Sequence, residues 1–421
     1  MVDKVSSISE YYVAFSLKCL KVLGLWNAYN DQRKWVYLVY TIFIIFLLSS
    51  VRISGYIVMA WTLRHDFLQQ TLTLSLASAF LVGLIKNINV MLHYSDIRFI
   101  ADTLHWERSM ICSSDFAVYR DQALAKTMRK TKVITCVWVW VVILNIPVFY
   151  VDNLDKNHRT LDDLPLSFTF LRCLLKPLNF FIVLAIDYVT FVILSMTIIS
   201  NDCLFLSLML HIETQLKILN FRLRKCTARD FQNSNRLKNM DYHNVGCFNR
   251  NSDSQGSTVN SQFIICIQHY QKIFKMVHVL KKVYGFILLP QLLSSMTMIT
   301  FVGIHVFVTK TVNLSDPTPA VLIALTLSST FIQLSVYCLG GNSIIAESDR
   351  TSSAVYDTDW YLENARFKTT LTIFQSMVKH PLGITVAGLF ELSFVTLNKV
   401  LTKSYSAMAL LQRATVATDE N

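Results

Sequence analysis

Long apolar blocks separated by short charged stretches dominate the pattern of this chain. A helix of about 20 residues crosses the roughly 30 Å of hydrocarbon in a bilayer. Seven blocks are long enough: 35–61, 71–92, 133–151, 177–200, 283–308, 320–339 and 383–411, the last interrupted by Lys399 and Lys403. Spans two, four and six are expected to continue as helices past one membrane surface. Residues 203–225, and residues 263–282 leading into span five, keep an apolar stripe while acquiring charges. Such stripes bury themselves in a helical bundle outside the lipid, within or between subunits. Residues 11–29 have apolar positions at helical spacing with Lys18 and Lys21 on another face. They read equally as an interfacial helix or as a helix docked on the protein's own core. Residues 226–262 are rich in Asn, Ser, Gln and Asp without apolar periodicity, and are expected to form a mobile loop.

Composition agrees with the pattern. The 421 residues are 53% hydrophobic and 16% charged, with a mean hydropathy of +0.41, so one membrane domain is expected rather than several soluble ones. Residues 1–34 lack a signal-peptide pattern, so translocation is expected to start at span one. Basic residues then set orientation. With the N-terminus inside, the inner segments hold 28 of the 39 Lys and Arg and the outer segments hold 7. The expected fold is therefore all-α, a seven-transmembrane helical protein with a cytoplasmic N-terminus and an extracellular C-terminus. The net charge of +11 is a topology signal, and it is gathered on no folded domain that would hold nucleic acid. Asn313, in the sequon Asn313-Leu314-Ser315, falls in a short outer loop and is a candidate glycosylation site. Eight of the nine cysteines lie in spans or on the inner side, which implies no disulfide framework.

No enzyme constellation is present: there is no phosphate-binding glycine loop, HExxH or GxSxG. Cys266 and His269 share a helix face but have no second pair to complete a metal site, so no metal and no cofactor are expected. Three charges lie within the first six spans. Arg52 and Lys86 are near enough to span ends to snorkel, whereas Asp187 must either pair or line a cavity. Aromatic residues crowd spans three and four, among them Trp138, Trp140, Phe149, Phe180, Phe181, Tyr188 and Phe191. Most would pack the bundle, and some could wall a small apolar pocket.

The C-terminal third carries a family likeness. Gly341-Asn342 ends span six, followed by Glu347-Ser348, Tyr356, Trp360, Pro381-Leu382, Ile384-Thr385, Gly388, Phe394, Lys399 and Tyr405-Ser406. With Leu23–Trp26 near the start, this order and spacing resembles the insect odorant receptor family, as an odorant-specific subunit rather than the shared coreceptor. The resemblance implies a subunit of a tetrameric, ligand-gated, non-selective cation channel that assembles with a coreceptor and detects small volatile hydrophobic molecules. Its place would be the plasma membrane, in dendrites of olfactory sensory neurons, in contact with lipid and permeating cations.

The same resemblance divides the chain into a cytoplasmic N-terminal segment 1–34, six spans within 35–339, a cytoplasmic anchor segment 340–382, a pore-lining span 383–412 and a tail 413–421. It places ligand contacts in the outer halves of spans two to six, where the candidates are Phe80, Trp140, Leu144, Phe181, Tyr188, Met296 and Thr300. Pore candidates are Ser404, Met408, Leu411 and Gln412; Ser404, Met408 and Gln412 also repeat on one helical face. The gustatory receptors are the nearest rival, but their closing Thr-Tyr-x5-Gln-Phe is unmet, since Arg413 stands where Phe would. A G-protein-coupled receptor would carry its Asp-Arg motif after span three, whereas Asp349-Arg350 follows span six.

Overall fold

A computed structural model describes residues 14–26, 34–43, 49–65, 67–106, 114–154, 180–227, 253–309 and 318–419. These form α1 (Ala14–Val22), α2 (Lys34–Ile42), α3 (Ser49–Thr62), α4 (Phe67–Leu92), α5 (Tyr94–Trp106), α6 (Ser114–Leu154) and α7 (Phe180–Lys225). There follow α8 (Asp253–Thr309), α9 (Thr318–Tyr356), a 3-10 turn at Trp360–Leu362, α10 (Ala365–Val378), a hairpin of β1 (Thr385–Val386) and β2 (Phe390–Glu391), and α11 (Phe394–Asp419). Among the described residues, four helical stretches are long and apolar enough to cross a membrane: Gln69–Leu92, Ile182–Lys225, Val259–Val306 and Ile323–Leu362. The first expected span is divided between α2 and α3, with residues 44–48 outside the described set.

Among the described residues, α7 and α8 are the longest helices, and both far exceed a bilayer. At 1.5 Å per residue, α7 is roughly 70 Å long and α8 roughly 85 Å. Their charged extensions therefore stand clear of the hydrocarbon, as the amphipathic stripes predict. The extensions bury the main core of the protein. Leu208, Ile212, Leu216, Leu219 and Leu223 of α7 meet Phe263, Cys266, Ile273 and Leu280 of α8, with Ala354 and Val355 of α9 and Phe367 and Phe374 of α10. Phe263 packs its ring 4.8 Å from Phe367 and 5.7 Å from Phe374. Helix α1 docks here too, with Leu17 and Leu20 fully buried and Ser16 bonded to the Cys203 carbonyl. The exposed large apolar side chains include Trp61, Leu81, Trp140, Leu144, Val189, Phe286 and Leu293 of the expected spans, the outward apolar surface that a membrane-crossing bundle requires.

Two boundaries differ from the sequence expectation. The polar segment was expected to run as a loop to residue 262, but α8 begins at Asp253 and already buries Val259 and Asn260. The expectation of mobility for its remainder, 228–252, lies outside the described residues. The last span was expected to start at residue 383, but residues 383–393 form the hairpin and its flanks, and the helix starts at Phe394. Two positive-φ residues, Ala387 and Gly388, turn the chain between the strands, pairing Thr385 with Glu391 and Val386 with Phe390. The Ala387 amide donates to the Gly285 carbonyl of α8 at 2.8 Å, and the Leu382 amide donates to the Ser348 hydroxyl of α9 at 2.8 Å. A Cβ on Gly341 of α9 would strike the Leu392 carbonyl, so that glycine is what admits the hairpin.

Candidate ligand site and pore helix

Arg52 on α3 and Asp187 on α7 meet inside the bundle. The guanidinium donates to the Asp187 carboxylate at 2.8 Å, to the Asp187 carbonyl at 2.9 Å and to the Thr190 hydroxyl at 3.2 Å. Three rings surround it, with centroids 5.9 Å (Tyr56), 5.6 Å (Phe80) and 5.0 Å (Phe191) from the guanidinium carbon. Tyr56 stacks on Phe80, and Phe191 meets Phe80 edge-on. A cation on aromatic faces away from water gains both dispersion and quadrupole attraction. Arg52 is only 2% exposed, so it does not snorkel as expected: its reach is spent on a partner across the bundle. Asp187 takes the pairing role of its two expected ones.

A second polar cluster joins four helices. Lys86 of α4 donates to Asp202 of α7 at 2.6 Å and to the Tyr337 hydroxyl of α9 at 3.0 Å. Tyr337 also donates to Asp202. Gln333 of α9 donates to the other Asp202 oxygen at 2.6 Å and accepts from Gln291 of α8 at 3.1 Å. Lys86 is 5% exposed, so it too is paired rather than snorkelling. The sequence does not reveal this cluster, because ending span four at residue 200 puts Asp202 in the helical extension beyond the membrane, where a carboxylate needs no buried partner. The signal available was the four-turn spacing from Asp187 to Asp202, which puts the two acids near one face of a continuous helix.

Helix α8 connects these layers to α11. The Thr300 hydroxyl donates to the Ser404 carbonyl at 3.3 Å, and the Ser404 hydroxyl donates to the Met296 carbonyl at 3.5 Å. A Cβ on Gly303 would lie 2.6 Å from the Met408 sulfur, so Met408 fills the space that this glycine leaves.

The structure disperses the ligand candidates. Phe80 belongs to the Arg52 cage, and Met296 and Thr300 lie against the last helix. Trp140 and Leu144 are exposed on α6, and Tyr188 is partly exposed beside Asp187. Phe181 falls in the first turn of α7 with its side chain outside the described set, and Asn313 lies outside the described residues. Of the pore candidates, Ser404 is 1% exposed and turned onto α8, which removes it from an open face of its own subunit. Met408, Leu411 and Gln412 are partly buried. His269, considered with Cys266 as a metal pair, instead lies 3.1 Å from the Gln215 side-chain oxygen.

The comparisons with known proteins agree with this architecture. A family model described as 7tm odorant receptor matches residues 66–405. Odorant receptor 67c of Drosophila melanogaster is 26% identical over 167 residues, covering 39% of this chain and 38% of that protein. Putative odorant receptor 85d of the same fly is 24% identical over 147 residues, covering 35% and 34%. The odorant receptor coreceptor of Ooceraea biroi is 24% identical over 155 residues, covering 35% and 30%. These matches span well under half of each curated relative. The solved olfactory receptor OR5 of Machilis hrabei shares the fold over 96% of this chain and 98% of its own, at 15% identity, with TM-scores of 0.72 in complex with eugenol and 0.74 without it.

Proposed function

The chain belongs to the 7tm odorant receptor family, and on that premise we propose that it is the odorant-binding subunit of a ligand-gated, non-selective cation channel completed by a coreceptor. The observation that carries this reading is the family match over 340 of 421 residues. The ligand class is a small hydrophobic volatile, in keeping with the eugenol bound by OR5. It would sit in the half of the bundle away from the basic loops, near the aromatic residues around Arg52. Movement there reaches the last helix through α8, whose Met296 and Thr300 hold Ser404. Met408, Leu411 and Gln412 are the proposed pore positions, at the edge of the face packed on α8. The subunit would lie in the plasma membrane of sensory dendrites with its N-terminus inside, and Asn313 would be glycosylated outside.

The test is electrical. Cells expressing this chain with a coreceptor are exposed to a panel of volatile odorants that includes eugenol, and compared with cells expressing either chain alone. An inward cation current that needs both chains, and that the coreceptor alone does not give, is expected. A robust current from this chain alone, or one that requires G proteins, would overturn the assignment.

A further inference from the structure

The polar cluster around Asp202 encloses a cavity of about 10 Å³, lined by Lys86, Asn201, Asp202, Tyr284, Gln291 and Tyr337 among others. Two lining atoms are left over. Among the described residues, the Tyr284 hydroxyl and the Asn201 side-chain oxygen have no hydrogen-bond partner, although Tyr284 is 6% and Asn201 2% exposed. Lys86 contributes a third group. Its ammonium carries three N–H bonds, and two are used on Asp202 and Tyr337.

We propose that this cavity is a site for one water molecule, held by Tyr284, Asn201 and Lys86. The free volume matches the roughly 10–15 Å³ that one water requires, and a buried water needs two to four polar partners. The surroundings select water over other small occupants. An organic ligand does not fit the volume, and a cation would meet the Lys86 charge. Water can accept from Lys86 and Tyr284 while donating to Asn201, so it satisfies every leftover group at once. Tyr284 belongs to α8, whereas Lys86 and Asn201 belong to α4 and α7. The water is therefore a bridge tying the helix that holds the pore element to the two helices behind it. A bridging water is nearly as favourable as a direct bond and can exchange partners when a helix shifts.

Radiolytic hydroxyl-radical footprinting of the full-length complex with its coreceptor tests this directly, because a bound water generates the radical beside its neighbours. Tyr284 should be oxidised several-fold faster than Phe263, which is fully buried in the apolar core. Replacing the acceptor in Asn201→Leu should lower the Tyr284 rate to that of Phe263. Equal rates for Tyr284 and Phe263 in the wild-type complex would mean a dry cavity and overturn the proposal. An unchanged Tyr284 rate in assembled Asn201→Leu complexes would overturn it as well. A density map of the wild-type complex gives an independent reading: a peak within hydrogen-bond distance of both Tyr284 and Asn201 supports the site, and an empty cavity in a map that resolves other buried waters sinks it.

Discussion

Arg52 and Asp187 are almost wholly removed from water, at 2% and 3% exposure, so neither charge is tolerable without the other. Removing one partner of a buried pair costs about 3–5 kcal/mol, chiefly because the remaining charge is stranded, while an apolar pair of similar volume can be neutral. Asp187→Leu should therefore lower thermal stability and surface delivery sharply, and Arg52→Met with Asp187→Leu should recover much of both. Fluorescence-detected gel filtration after a heating series reads this, and a double variant no better than the single one would refute the pairing argument. Gly341 supplies a second residue-scale expectation. Alanine favours a helix interior over glycine by about 1 kcal/mol, yet here its Cβ would strike the Leu392 carbonyl, and overpacking costs about 1–3 kcal/mol. The clash should win, so Gly341→Ala should lower the melting temperature of the purified complex. A rise would show that the hairpin can move aside freely.

At the scale of elements, helix identity was legible and helix ends were not. Apolar length marks a crossing segment regardless of its neighbours, which is why the described residues of the blocks at 71–92, 177–200, 283–308 and 320–339 all appear as helix, the second from Phe180 on. The hairpin was hidden because Ile384, Thr385 and Val386 are as apolar as a span, and only Gly285 and Gly341, distant in sequence, explain where they dock. The candidate site was less legible still. Phe80 could be picked by depth, but its partners Arg52, Tyr56 and Phe191 come from other helices or other turns, and convergence of faces is a tertiary fact. The last helix shows the same limit. Four-residue spacing grouped Ser404 with Met408 and Gln412, but α8 claims the Ser404 side of that face. If Gln412 borders the pore, Gln412→Lys places a fixed charge where screening is weak and should lower single-channel cation conductance with little change in ligand sensitivity. Ala409→Lys, about 100° away around the helix, should leave permeation unchanged in channels that reach the surface. Conductance and reversal potential at the wild-type values in Gln412→Lys channels would place the pore face elsewhere.

For the whole molecule, orientation follows from where the long helices overshoot the bilayer. Helix α7 ends in Arg222, Arg224 and Lys225, and α8 carries Lys272, Lys275, Lys281 and Lys282 ahead of its apolar stretch from Val283. Both extensions belong to the apolar core that α9 and α10 complete, so these basic residues share one end of the bundle. Transferring such a folded, positively charged end across the membrane is disfavoured, and basic residues near span ends are retained inside. That end should therefore be cytoplasmic. If all seven expected spans cross, Met1 should then lie on the cytoplasmic side and Asn421 outside. An epitope tag after Asn421 should bind antibody on intact cells, whereas a tag before Met1 should need permeabilisation. Asn313 offers an independent marker, since the wild-type chain should lose mobility-shifting glycan on amidase treatment and Asn313→Gln should show none to lose. Labelling of both tags on one side would mean an even number of spans. Surface labelling of the N-terminal tag alone would reverse the orientation and take the channel reading with it.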